Sequence, residues 1–256
     1  MRRHGPTVSL CIDRPATRNA ISTGVMGEFE RALDELESDP PAVVVVRGGG
    51  ERVFVSGGDL KELAQLRTVA DATRMAIRMR RVLDRLVSLP STVVAQLNGD
   101  AYGGGAEVAL AADFRLCADD VRIGFTQIVL GIMPAWGGVE RLTSLVGRSR
   151  AMYLLSTGTV IDAAHAHAWG LVDEVVPRSA FDERCDELTT ALAAAPAPAL
   201  WAIKRIVGEV SPSRHPMTEV QAAGSFAETW AAEAHWDLAA AHDRRRRGSK
   251  GNGSLR

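Results

Sequence analysis

The chain is short of several things, and each shortage excludes something. It has three cysteines, Cys11, Cys117 and Cys185, scattered along 256 residues. They cannot all pair and show no metal-ligand spacing, which argues against a disulfide scaffold and for a reducing cytoplasm. No run approaches the roughly 20 apolar residues of a membrane helix, so no spanning segment is expected. Lys and Arg number 30 against 31 Asp and Glu, a formal charge of −1. Such a chain has no global basic field to collect nucleic acid or anionic lipid. The N-terminal Met-Arg-Arg-His-Gly-Pro is basic, but few apolar residues follow before Asp13 and Arg14, a poor secretory signal.

What is present is globular. Hydrophobic residues make up 46% and charged residues 24%, which excludes wholesale disorder and a fibrous chain. The length suits one large domain, or a domain with an appendage. Thr7 to Ile12 alternates like a strand, and Asp13 to Asn19 is a polar turn. Ser22 or Thr23 can cap a helix whose apolar positions Val25, Met26, Phe29, Leu33 and Leu36 recur at helical spacing. Val43–Val46 and Thr92–Leu97 read as strands buried on both faces, with a helix over about 70–88 between them. Strands and helices alternate up to about residue 176, and the class is α/β. Helices are expected over 139–146, 149–157, 162–168 and 180–194, with a last strand over 171–176. This divides the chain into an α/β core over 1–195, a helical region over 196–243, and a basic, disordered tail over 244–256 that begins with four arginines.

Chemistry gathers at glycine. Gly103-Gly104-Gly105 stands between a strand and a helix that carries Glu107. Glycines there let a ligand approach the backbone, and the first N–H groups of a helix lack intrahelical acceptors. That suits a phosphate or a developing oxyanion, although a tight turn without a ligand explains the glycines equally well. The segment is not a Walker loop, since Gly-Lys-Ser/Thr is missing. A second pair, Gly57-Gly58, follows the Val53–Val55 strand. Two such loops could each supply one N–H to a single carbonyl oxygen.

Five segments together resemble the crotonase, or enoyl-CoA hydratase/isomerase, superfamily. They are Ile12-Asp13-Arg14-Pro15 with Asn19-Ala20-Ile21-Ser22; Phe54 to Leu63, containing Ser56-Gly57-Gly58-Asp59-Leu60-Lys61; Asn98-Gly99 with Gly103 to Glu107; Leu130 to Gly138 with Arg141-Leu142; and Ala168 to Val176. They fall in the family's order over roughly residues 7–240. The resemblance implies a crotonase-like spiral of ββα units with a helical C-terminal trimerisation region. It implies an acyl-CoA thioester as substrate, no metal or redox cofactor, and a homotrimer or dimer of trimers. The oxyanion donors map to the amides of Gly58 and Gly104. Coenzyme A, entering as part of the substrate, is expected along Thr17, Arg18 and Ala20 and along Ser56, Asp59, Leu60 and Lys61, with Arg18 and Lys61 as cations for its phosphates. Ordinary surface charge explains each of those two cations equally well.

Hydratases of this family hold a water between two glutamates. The first maps to Glu107, which could instead only complement a helix N-terminus. Where the second is expected this chain has Gln127, and no carboxylate lies between Val121 and Ala135. A Gln amide orients water but moves no proton. Three activities follow: hydration with Glu107 alone and Gln127 positioning water; decarboxylation of a malonyl-type thioester, with similarity to the ethylmalonyl-CoA decarboxylase branch; and double-bond isomerisation, ranked lower. Decarboxylation needs an acid but no second base, and Trp136 could desolvate the leaving carboxylate. Plain core packing is the commoner fate of a lone Trp. A catalytically silent CoA-binding subunit, or RNA binding through Arg244–Arg247, are the other classes; near-neutral charge and the lack of an RNA-binding aromatic motif argue against RNA. His165 and His167, two residues apart, do not share a helix face, so a metal site is not expected there. His235 and His242 are given no role.

Overall fold

The computed structural model describes residues 1–210 and 219–251. A six-stranded sheet contains β1 (Arg2–His4), β2 (Thr7–Ile12), β3 (Val43–Gly48), β5 (Thr92–Leu97), β7 (Phe114–Ala118) and β10 (Glu174–Val176), in that order. Only β1 runs antiparallel, pairing Arg3 with Val8. In β3 and β5 the valine runs are buried on both faces because helices cover them, as the unbroken apolar pattern predicts. A four-stranded sheet of β4 (Val53–Val55), β6 (Asp100–Tyr102), β8 (Arg122–Gly124) and β9 (Val160–Asp162) stands beside it. β4, β6 and β8 are parallel; β9 is antiparallel to β8.

The helices follow local rules. Ser22 caps α1 (Thr23–Ser38), its hydroxyl accepting from Val25 N–H at 3.1 Å, and the five predicted apolar positions of that helix are buried. α2 (Leu60–Leu63) is one turn, and α3 (Val69–Ser88) buries Met75, Met79, Val82, Leu83 and Leu86. α4 (Gly104–Ala109) is short and wholly buried. The two helices expected over 139–157 form one element, α5 (Gly138–Thr157), broken at Gly147, which takes φ +77°. α6 (Ala163–Ala168) and α7 (Phe181–Ala194) fall where expected, whereas the last strand shrinks to Glu174–Val176.

α8 (Ala197–Val210) leaves Ile203, Ile206 and Val207 exposed. α9 (Glu219–Ala231) packs along α3 of the same chain, burying Phe226 and Trp230. α10 (Glu233–Gly251) includes Arg244–Arg247, so residues 244–251 of the expected tail are helical; residues 252–256 lie outside the described residues. His235 is fully buried on α10, its Nδ1 2.6 Å from Leu130 O, and stacks against Trp230 and Trp236. No helix among the described residues is long and apolar enough to cross a membrane.

Candidate active site

Three neighbouring parallel strands of the small sheet each deliver one part of the site at their C-terminal ends: β4 leads to Gly58, β6 to Gly104 and Glu107, and β8 to Gln127. Open parallel sheets place ligands at this edge. The two glycine loops meet, since a β-carbon on Gly57 would lie 3.4 Å from Gly104 N. Gly58 forms a parallel bridge with Ile21, in which Ile21 N–H donates to Gly57 O and Asp59 N–H to Ile21 O, both at 2.8 Å. Alternation along the backbone turns the N–H of Gly58 away from Ile21. Gly104 is the first residue of α4, where an N–H has no intrahelical acceptor.

Glu107 lies one turn into α4 and is 2% exposed. Its Oε2 accepts from the amides of Trp136 at 2.8 Å and Gly138 at 2.9 Å, and its Oε1 accepts from Gln127 Nε2 at 3.0 Å. The carboxylate thus faces the N-terminus of α5, not only that of its own helix. Burial pushes its pKa up to about 7, against the pull of the two amides, Arg141 and Gln127. A carboxyl group balanced near neutrality can serve as either base or acid. Gln127 sits in a 3-10 turn over Thr126–Leu130, and its Oε1 is buried without a partner among the described residues. An acceptor beside the carboxylate is thereby left for a water or a substrate hydrogen.

Trp136 is 5% exposed and lies over both glycines. A β-carbon on Gly104 would overlap its six-membered ring, and one on Gly58 would stand 3.9 Å from it. The loop of Trp136 is tied to α5 and α3: Arg141 Nη1 donates to Trp136 O at 2.7 Å, and Arg141 Nη2 pairs with Asp84. Arg141 belongs to the family-like segment that includes Leu130 to Gly138, but nothing in its spacing signals this contact.

The residues expected along coenzyme A also come together. Arg18 and Asn19 take left-handed conformations, at φ +58° and +55°. Asn19 pins this turn, donating to Gly49 O at 2.9 Å and Val53 O at 2.6 Å. Arg18 O accepts from Ser56 N–H at 3.2 Å, and the Ile21 bridge holds Ala20 beside the Gly58–Lys61 loop. Thr17 and Lys61 are exposed, Arg18, Ser56 and Leu60 half-buried, and Ala20 buried. Asp59 pairs with Arg14 at 3.1 Å. Among the described residues no group of three or more His, Cys, Asp or Glu could hold a metal. His165 instead pairs with Asp162, and His167 Nδ1 lies 3.3 Å from Val172 O.

Comparison with known proteins identifies the family. The enoyl-CoA hydratase/isomerase family model matches residues 6–235. The chain is 37% identical over 189 residues to an enoyl-CoA isomerase/hydratase of Mycosarcoma maydis, covering 70% of this chain and 68% of that protein. It is 34% identical over 211 residues to the ethylmalonyl-CoA decarboxylase of Danio rerio, covering 81% and 70%. The crystal structure of an enoyl-CoA hydratase from Bacillus anthracis superposes with a TM-score of 0.78 at 32% identity, covering 81% of each chain. One from Mycobacterium avium subsp. paratuberculosis gives a TM-score of 0.85 at 25% identity over 93% of this chain and 96% of that one. The chain is an enzyme of the enoyl-CoA hydratase/isomerase family.

Proposed function

We propose that the enzyme adds water to a 2-enoyl-CoA thioester, with Glu107 as its single proton-transferring group. The observation that carries this reading is the buried Glu107 carboxyl, with a pKa of about 7, bonded to a Gln127 whose Oε1 has no partner among the described residues. A water donates one hydrogen to Gln127 Oε1 and the other to Glu107 Oε1. Its oxygen adds to the β-carbon, the electrons of the double bond move onto the thioester oxygen, and the amides of Gly58 and Gly104 donate hydrogen bonds to the oxyanion so formed. Losing one such donor typically costs about 3 kcal/mol of barrier. The protonated Glu107 then returns its proton to the α-carbon, so water is added and the carboxylate regenerated.

Thr17, Arg18, Ala20, Ser56, Asp59, Leu60 and Lys61 are assigned to coenzyme A, with Arg18 and Lys61 nearest its phosphates. The reaction requires no cofactor beyond the substrate's own coenzyme A. A homotrimer or dimer of trimers in the cytoplasm completes the proposal.

One observation favours a second reading. Trp136 forms an apolar wall against both Gly58 and Gly104, a setting in which a malonyl-type carboxylate is poorly solvated and its loss as carbon dioxide is favoured. Protonated Glu107 would then quench the enolate. Mass spectrometry of crotonyl-CoA, longer enoyl-CoAs, methylmalonyl-CoA and ethylmalonyl-CoA after incubation with the enzyme decides. A gain of one water supports hydration, loss of carbon dioxide supports the second reading, and neither product would overturn both.

A further inference from the structure

Trp136 is gripped through both of its backbone polar groups. Its N–H donates to Glu107 Oε2 at 2.8 Å, and its C=O accepts from Arg141 at 2.7 Å. Gly137 takes φ +89°, and a β-carbon there would run into the guanidinium, so the turn wraps closely around Arg141. The Arg141 side chain is 14% exposed and ion-paired with Asp84 of α3. Desolvation drives the two partners toward neutrality, Arg141 downward and Asp84 upward. The Asp84 side chain is 48% exposed, so water screens the pair on that side, and its main effect is to hold the buried guanidinium in place. The charges around it are Arg80, which reaches Asp84 at 3.6 Å and Glu140 at 2.8 Å, with Glu140 on α5 and Glu219 at the start of α9. Arg141 also acts directly on Glu107, favouring its ionised form.

The geometry points to Arg141, locked by Asp84, as a positioning residue of the acid–base site: it fixes the turn whose amides hold Glu107 and supplies the positive charge that the carboxylate faces. This rests on the reading of Glu107 as the proton-transferring group. Asp84 moderates that charge, so removing either partner moves the Glu107 ionisation, in opposite directions.

The test measures kcat/KM for crotonyl-CoA across pH in wild type, Arg141→Met, Arg141→Lys, Asp84→Asn and Glu107→Gln. Infrared difference spectra against Glu107→Gln follow the protonation of the same carboxyl without turnover. Arg141→Met is expected to move the ionisation to higher pH, the effect of losing an opposite charge. Its activity deficit is then largest in acid and shrinks as pH rises. Asp84→Asn is expected to lower the ionisation, and Arg141→Lys to leave it near the wild-type value. If Arg141→Met and Asp84→Asn lose activity by the same factor at every pH and leave the carboxyl titration in place, Arg141 is only structural and the inference fails. If Arg141→Met does not fold, the direction of the Asp84→Asn shift decides alone. Undiminished turnover by Glu107→Gln would instead overturn the role given to Glu107, a failure distinct from that of Arg141.

Discussion

Trp136 holds Glu107 with its amide, at 2.8 Å, while its ring lies against Gly104 and Gly58. One residue therefore ties the proton-transferring carboxylate to the proposed oxyanion donors. Because the ring fills the space a β-carbon on Gly104 would need, Gly104→Ala must displace it. Overpacking of this kind costs about 1–3 kcal/mol. Stability is expected to fall by that amount in chemical denaturation, with turnover reduced as the ring and the Glu107 loop shift. A Gly104→Ala protein with wild-type stability and rate would show that the ring does not constrain the site.

The sign of the pH dependence separates the two proposed reactions. Hydration begins with Glu107 as base, so kcat/KM should rise as pH increases through about 7. Decarboxylation uses the protonated form as acid, so kcat/KM should fall above about 7. Rates measured from pH 5 to 9 on whichever thioester turns over check this. A flat profile would remove Glu107 from the rate-determining proton transfer.

The same ionisation carries a stability cost. The Glu107 pKa is about 7 in the folded protein against 4.5 for an ordinary glutamate, so the folded state binds its proton more tightly. Stability is then highest in acid and declines as pH rises from about 4.5 to about 7, by about 3 kcal/mol for this group. Glu107→Gln removes the dependence: its stability relative to wild type should be greater at pH 8 than at pH 5. Its carbonyl can take over the two amides, and its NH2 can face Gln127 if that amide flips. Equal stability differences at both pH values would refute the burial argument.

What the sequence made legible and what it hid differ in kind. The valine runs of β3 and β5 and the Ser22 cap are local signals, and their elements formed as read. The β9 strand is only three residues long and owes its pairing to β8, thirty-odd residues away, so no local pattern marks it. Gly58, Gly104 and Glu107 could be named as candidates because each follows a strand and matches a family motif, and Gln127 because it stands where that motif would place a glutamate. Arg141 and His235 could not, because what they touch, Trp136 O and Asp84 for one and Leu130 O and the Trp230 and Trp236 rings for the other, depends on how α5 and α10 pack. A buried His and an Arg near a helix start look the same in sequence whether or not they touch a functional loop.

Gln127→Glu tests whether the pocket is otherwise suited to two-carboxylate hydration. Gln127 Nε2 now lies 3.0 Å from Glu107 Oε1, so the new carboxyl would sit against the old one. Two carboxylates this close cannot both ionise readily; the pair shares a proton and titrates in two separated steps. The proton-sharing pair can take a proton from water with one member and give one to the α-carbon with the other. Hydration of crotonyl-CoA is therefore expected to rise in Gln127→Glu, with a bell-shaped pH profile in place of a single limb. Stability at high pH is expected to drop as the second charge forms. An unchanged rate with an unchanged single limb would mean that residue 127 does not face the reacting water, and the hydration reading would lose its second participant.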